Sequence, residues 1–418
     1  MQTEPIVKKR KTLWCPRSSE LPIESFRLDK WGLDVTIKKD ISDLETQWDQ
    51  LMPKDESFAQ GKYLKTLEVT NPDNLKNLYV ILGRDGKDIG AVLIQSLVLR
   101  PADSFDYEKY TTDRSFFSRV WQKIRQVVMS MITFRMMTIG NLYLTGQYGI
   151  HFAAGQYDKE TQFDIISDLT KVLKKELCNT PYRFNGVLYK DFFKEQALNK
   201  PERLGFLSFD IDPNMILKLR ASWMGFDDYL LDMKSKYRVR LKNALKKFKG
   251  IERRTLSLQD VERLSDRMYE LYSSILEGSG FVLAQGKDNY FSELKRRLGE
   301  ELQVVGYFHE EELVGFYTWV MEGNKMDSHF IGFEKSLNNK YQIYLNILLD
   351  LVKDAIQQKA QSLYYFRTAL EIKSSVGAEP FDMTCYFRHN NPIINRVIRS
   401  PFKSFVPQQS WKQRHPFK

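Results

Sequence analysis

The sequence predicts an α/β (α+β) protein of two tandem units, each a mixed, mostly antiparallel sheet flanked by helices. Three observations lead there. The chain has 418 residues, too many for one ordinary core, since domains usually run roughly 100 to 200 residues. Residues 78–94 and 303–321 both read as an apolar strand, a tight charged turn and a second apolar strand holding a glycine, Gly90 or Gly315. Each hairpin is followed by a further strand (137–145 and 325–333), an amphipathic helix (160–177 and 341–358) and a short strand (186–189 and 362–366). A match in order over five elements marks an internal repeat, where one matching hairpin would mean little.

Composition sets the class. With 42% hydrophobic and 13% aromatic residues, the chain can bury sizeable cores. Its longest apolar run, at 127–134, is far short of the roughly 20 residues that span a bilayer. The basic start, Lys8-Lys9-Arg10-Lys11, lacks the apolar segment of a signal peptide. Cys15, Cys178 and Cys385 are odd in number and lie at no metal-ligand spacing. The expectation is a reduced, cytoplasmic protein, peripheral at the inner membrane face if the insert described below meets lipid, with no metal site. The net charge of +10 is local: residues 234–254 hold ten basic residues and one acid, Glu252, so they should face something anionic.

Residues 1–30 are polar, basic and proline-bearing and are read as a loosely docked arm. The first unit, 31–212, opens with a strand alternating over 33–37. Ser42 is the expected N-cap of a helix carrying Leu44, Trp48 and Leu51, and a second helix covers 58–69. Asp85-Gly86 between two β-rich runs signals a tight hairpin. A break at about 105–137 carries Phe117, Trp121 and Ile124 at helical spacing beside Arg114, Arg119 and Lys123. This insert is either a helix packed on the unit or a basic amphipathic helix that contacts membrane or lines a lipid-like substrate groove. Strand 138–145, the turn Gly146-Gln147-Tyr148-Gly149, the helix, strand 185–189 and strand 206–211 complete the unit. The turn at Asp212-Pro213-Asn214 is the expected boundary.

The second unit, 213–418, opens with a strand and one long helix over 226–249. Leu230, Met233, Tyr237, Leu241, Ala244 and Phe248 form its buried stripe, while Lys234, Arg238 and Lys242 ride other faces. A short strand at 251–255 and helices at 258–276 and 289–298 precede the second copy of the repeat.

The meander followed by helix and strand resembles the GNAT fold, and its tandem arrangement is similar to the FemAB-like aminoacyl and acyl transferases. Residues 229–242 are similar to the basic helix opening the second unit of those proteins. Tyr365-Phe366-Arg367-Thr368 with Glu371-Ile372-Lys373-Ser374-Ser375-Val376-Gly377-Ala378 resembles their closing strand and lysine-bearing loop. The resemblance covers about 31–400. It implies an N-acyltransferase working by direct attack of an amine acceptor, such as a lipid or cell-envelope precursor, on an activated donor, with acyl-CoA as co-substrate. One departure stands out: the turn at 332–340 lacks the Gln/Arg-x-x-Gly-x-Gly/Ala pattern that holds a pyrophosphate on backbone N–H groups. An aminoacyl-tRNA donor, or an inactive fold that binds membranes or a partner, stays open beside acyl-CoA.

Acyl transfer needs an orienting cleft, a base for the ammonium proton and an acid for the leaving group. The cleft is expected where the strands after Gly315 and before the Tyr341 helix part. Asp327 and His329, two apart on one strand, share a face as a candidate proton acceptor or as a solvent-facing polar pair. Tyr341 at a helix start is a candidate acid or a packing residue. The resemblance puts Arg367, Glu371 and Lys373 at the site, with Lys373, Lys234, Arg238 and Lys242 as candidate donor-binding cations.

Overall fold

The structure, a computed structural model, describes residues 20–99, 133–277, 283–397 and 411–418. The insert residues Phe117, Trp121 and Ile124 lie outside them. Among the described residues, fourteen strands form a single sheet: β1 (Ser25–Leu28), β2 (Leu33–Lys38), β3 (Leu75–Arg84), β4 (Lys87–Leu99), β5 (Phe134–Ile139), β6 (Ile150–Phe152), β7 (Gly186–Phe193), β8 (Leu207–Lys218), β9 (Glu252–Thr255), β10 (Leu302–His309), β11 (Glu312–Glu322), β12 (Lys325–Phe333), β13 (Ser362–Phe366) and β14 (Glu379–His389). Their order is β1-β2-β3-β4-β5-β7-β14-β8-β13-β12-β11-β10-β9, with β6 paired to β4.

The repeat is visible in the pairing. β2 to β5 form an antiparallel meander, and the helix Lys159–Glu176 returns the chain to β7, parallel to β5. β9 to β12 and the helix Ile343–Gln357 do the same, ending on β13 parallel to β12. In both copies the backbone takes a positive φ two residues past the last parallel pair, at Asp191 (62°) after Ile139–Tyr189 and at Phe366 (57°) after Asp327–Tyr364. The β3–β4 hairpin turns at Asp85-Gly86, both with φ above zero, as an Asp-Gly type I′ turn requires.

Sequence reading and structure part at several joints. Residues 25–28 of the expected arm are a strand on β2, because Leu28 alternates into the core. The 212–214 turn does not exist: β8 runs straight through it, the irregularity being absorbed as a register shift against β14. β8, last of the first copy, lies on β13 of the second, and β14, last of the second, lies on β7 of the first. The exchanged strands pair with each other and sew both copies into one sheet. The strand expected at 138–145 stops at Ile139.

The helix expected over 226–249 is two, Phe226–Asp232 and Ser235–Lys247, because Met233 is extended (ψ 145°) and buried. Leu241 and Ala244 are buried as expected, whereas Tyr237 and Phe248 are half-buried at the core edge. Ser42 is not a helix cap: its N–H donates to Asp40, and the helix starts at Glu45.

Each crossover helix covers one face of its half-sheet, with Phe163 and Leu169 in one core and Ile347 and Leu351 in another. The other face is a core shared between the copies, where Trp48, Tyr63 and Leu67 pack with Tyr290, Phe291 and Phe316. This shared core brings first-copy side chains onto β11 and β12.

Candidate active site

β12 and β13 pair only at Lys325–Ser362, Met326–Leu363 and Asp327–Tyr364 and then part. The cleft therefore opens between β12 and β13. The expected place, beside Gly315, is closed because β11 and β12 stay paired from Gly315–Phe333 to Glu322–Lys325. One residue past Asp327 the β11–β12 register shifts, with an extra residue on β12 beside His329 and Phe330. Such a bulge re-aims side chains.

Asp327 is fully buried, at the apex of the cleft. Its Oδ2 accepts a 2.7 Å hydrogen bond from Tyr148 of the first copy, and Lys325 Nζ lies 3.6 Å away. Lys325 also donates to the Tyr148 hydroxyl (3.2 Å) and sits over the Tyr148 and Tyr364 rings. Glu322 pairs with Lys325 across the β11–β12 turn. Its Oε1 accepts from the Phe58 N–H (3.1 Å). Among the described residues, Glu322 Oε2, Asp327 Oδ1 and His329 Nδ1 are buried without a hydrogen-bond partner. Glu322, Asp327 and His329 form a buried floor, and Glu56, Tyr148, Lys325 and Tyr364 a half-buried rim.

The electrostatics follow from this burial. Desolvation, reinforced by the Asp327 charge, pushes the Glu322 carboxyl up to about 8. Asp327 is raised by burial against the opposing pull of Lys325 and Tyr148, and the Tyr148 phenol is pushed well above its usual range by burial and by Asp327. Burial opposes the charge on Lys325, but the carboxylates of Asp327 and Glu322 outweigh it and hold the proton on. His329 is held down at about 3 by burial and is neutral. Its Nε2 lies 2.8 Å from the Tyr290 hydroxyl, with Phe58 against its ring. The cluster can take a proton from an ammonium at a carboxyl and pass one onward through the Tyr148 phenol that is hydrogen-bonded to Asp327.

Asp327 and His329 are thus buried against the first copy, the solvent-facing alternative being excluded by the shared core. The other predicted residues lie elsewhere. Lys373 is buried in a short helix, Leu370–Ser375, not in a loop, and its Nζ donates to the carbonyls of Tyr365 (2.6 Å), Arg367 (2.7 Å) and Phe366 (3.3 Å). That brace holds the backbone turn after β13, and burial lowers the ammonium to about 7. Arg367 reaches Asp191 (3.3 Å), which is fully buried, also binds Lys190 (2.5 Å) and lies beside the Cys385 thiol. Burial works against the Asp191 charge, but the Arg367 and Lys190 cations outweigh it and hold the carboxyl below its usual range. Glu371 is exposed and pairs with Arg414. Tyr341 bonds His309 on β10 (2.7 Å). Lys234 and Arg238 donate to the carbonyls of His415 and Leu231, and Lys242 is exposed.

Sequence reasoning missed Glu322, Tyr148, Lys325 and Glu56. Glu322 was findable, since a carboxylate ending the apolar run 313–321 faces Lys325 across a two-residue turn. Tyr148 belongs to the glycine-bearing turn 146–149, but nothing local points it at Asp327.

The turn entering the helix Lys335–Tyr341 is capped by Glu334, whose carboxylate accepts from the Ser336 N–H (3.3 Å) and hydroxyl (2.8 Å). Asp158 caps the first-copy crossover helix Lys159–Glu176 through Thr161 N–H (2.8 Å), whereas its second-copy counterpart Ile343–Gln357 starts at Gln342 without a side-chain cap. The starts of Lys335–Tyr341 and Lys159–Glu176 thus present a carboxylate, which does not fit a pyrophosphate there. A small cavity does open at the first-copy cleft, lined by Gly140, Gln147, Lys159, Gln162 and Lys190. Among the described residues no cluster of three or more His, Cys, Asp or Glu is arranged to hold a metal, and no helix is long and apolar enough to cross a membrane.

Residues 235–381 match the family described as acetyltransferase (GNAT) domain. The crystal structure of FemX superposes with a TM-score of 0.51 at 11% identity, covering 87% of this chain and 99% of FemX. A tandem GNAT protein from the clavulanic acid biosynthesis pathway gives 0.47 at 10% identity over 86% and 99% of the two chains. L-PGS from Bacillus licheniformis gives 0.42 at 11% identity over 85% and 98%. No curated protein matches the sequence. The FemX likeness is one of fold; the family match is what bears on chemistry. Residues 235–381 are therefore matched as a GNAT acetyltransferase domain, and the chain as a whole shares its fold with FemX.

Proposed function

We propose that the chain moves an acyl group from acyl-CoA or another acyl thioester to a primary amine by direct attack at the apex of the β12–β13 cleft. The observation that carries this reading is the pair of buried carboxyls, Glu322 and Asp327, each with an unpartnered oxygen. The acceptor enters as an ammonium and gives a proton to this pair. The neutral amine nitrogen then attacks the thioester carbonyl, the C–N bond forms, the C–S bond breaks, and the nitrogen loses its second proton to solvent as it becomes the amide. Tyr148, hydrogen-bonded to Asp327, relays a proton to the leaving thiolate, giving up its own as it takes the carboxyl proton of Asp327, so that no free phenolate forms. No covalent acyl-enzyme is needed.

The GNAT match of the second copy supports a CoA thioester donor. A carboxylate caps the starts of Lys335–Tyr341 and Lys159–Glu176, so on this reading the pyrophosphate binds away from those two starts. Acceptors of the lipid or cell-envelope class suit a cleft walled by two units. The test is thiol release from a panel of acyl-CoAs with amine acceptors, each product weighed by mass spectrometry. Amine-dependent thiol release lost on Asp327→Asn supports the reading. Turnover only with aminoacyl-tRNA would replace the donor, and no turnover with either would overturn it.

A further inference from the structure

From Lys234 to Lys249 the chain carries eight Lys or Arg and no Asp or Glu. Most of this stretch is the helix Ser235–Lys247. Among the described residues none of the eight forms an ion pair with a carboxylate, although cations elsewhere are widely paired: Lys62 with Glu301, Arg203 with Asp164, Arg267 with Glu334, Arg296 with Glu262. Even the next two cations in sequence are neutralised, Arg253 by Asp354 and Arg254 by Glu311. Single unpaired cations such as Lys54, Lys87 and Lys200 occur elsewhere among the described residues; what sets this helix apart is their density, eight in the sixteen residues 234–249 with no acid among them.

The outward face carries a second feature. Leu241 and Ala244 point into the core with Tyr237 and Phe248 at its edge. At 100° per residue the opposite pole, about 180° away, falls on Val239, flanked by Lys236, Lys242 and Lys246. Val239 is 54% exposed. Leu231 is 60% exposed, and its carbonyl accepts from both Arg238 and Lys418, which fixes it beside the same face. Aliphatic side chains standing in water among unpaired cations suit a surface that is anionic outside and apolar just beneath. Nucleic acid would want exposed rings for stacking. Here the rings turn inward, Phe248 packing on Tyr307 at 4.8 Å.

We propose that this face, centred on Val239 with Leu231 at its edge, docks the protein on an anionic phospholipid membrane. The cations meet the headgroup phosphates and the two aliphatic side chains enter the headgroup boundary. None of its residues is among those that line the β12–β13 cleft.

The experiment is flotation of the full chain with vesicles of phosphatidylcholine alone or with about one-third phosphatidylglycerol. The same assay is run on Lys236→Glu/Lys246→Glu/Lys247→Glu and on Leu231→Ser/Val239→Ser. All five positions are exposed, and unchanged thermal melts confirm that both variants fold. Expected are binding to the anionic vesicles only, release by about 0.5 M salt, and a partition coefficient at least roughly a hundredfold lower in the charge variant, at about fivefold per cation. The aliphatic variant should lose about tenfold and keep its salt dependence. Absence of binding to anionic vesicles, or binding that neither variant weakens, overturns the proposal. So does salt-sensitive RNA binding lost in the charge variant without any vesicle binding, which would make the partner a nucleic acid.

Discussion

Tyr148 of the first copy donates a 2.7 Å hydrogen bond to Asp327 of the second, across 179 positions of sequence. Neither copy alone contains the complete cluster: the carboxyls come from β11 and β12, the phenol and the N–H that holds Glu322 from the first copy. The tandem arrangement is thereby part of the chemistry proposed for this site.

Asp327→Asn and Glu322→Gln should each lower kcat about 10²- to 10⁴-fold, the range for loss of a general base. Tyr148→Phe should lower kcat more than it raises KM, because the phenol acts on the leaving group. The measurement is steady-state thiol release by protein with an unchanged melt. A variant that keeps full kcat removes that residue from the proposed chemistry.

Stability should carry the signature of Glu322. Its folded carboxyl keeps a proton to about pH 8, whereas the unfolded one loses it near 4.5. Between those values the folded state binds more protons, so this group's contribution falls as pH rises from 4.5 to 8. Glu322→Gln should flatten that fall by on the order of 4 kcal/mol, read as urea midpoints at pH 5 and pH 8. The pH–rate profile should rise toward an apparent value near 8 that belongs to the Glu322–Asp327 pair.

Lys373→Met should cost about 3 kcal/mol or more, since three carbonyls lose their shared donor inside the protein. The folded fraction should retain kcat within a few-fold. Glu371→Ala should shift stability by under about 1 kcal/mol, as its pair with Arg414 is exposed. A large kcat loss in folded Lys373→Met protein would return this lysine to the chemistry.

Asp191→Ala should destabilise by about 3–5 kcal/mol, because it strands the buried Lys190 beside Arg367. Arg367→Ala should cost less, since Asp191 keeps Lys190 at 2.5 Å. A double-mutant cycle by chemical denaturation should give a positive coupling between Arg367 and Asp191.

Local pattern was enough to determine the repeat, the Asp85-Gly86 hairpin and the shared face of Asp327 and His329. Each rests on period and turn chemistry, which act within a few residues. The sequence also marked the acid-free run from Lys234, since charge is additive along a chain. Which groups meet was decided only by the tertiary structure. The exchange of β8 and β14 cannot be seen locally, because one strand running through Asp212-Pro213-Asn214 looks like two strands and a turn. Lys373 looked catalytic because sequence records a charge and not its burial; folding put three carbonyls around it. Asp327 and Glu322 became unusual acids only when the shared core removed water from them and brought Tyr148 and Phe58 against them. Desolvation is a property of packing between the copies, and it turns ordinary carboxylates into a candidate site.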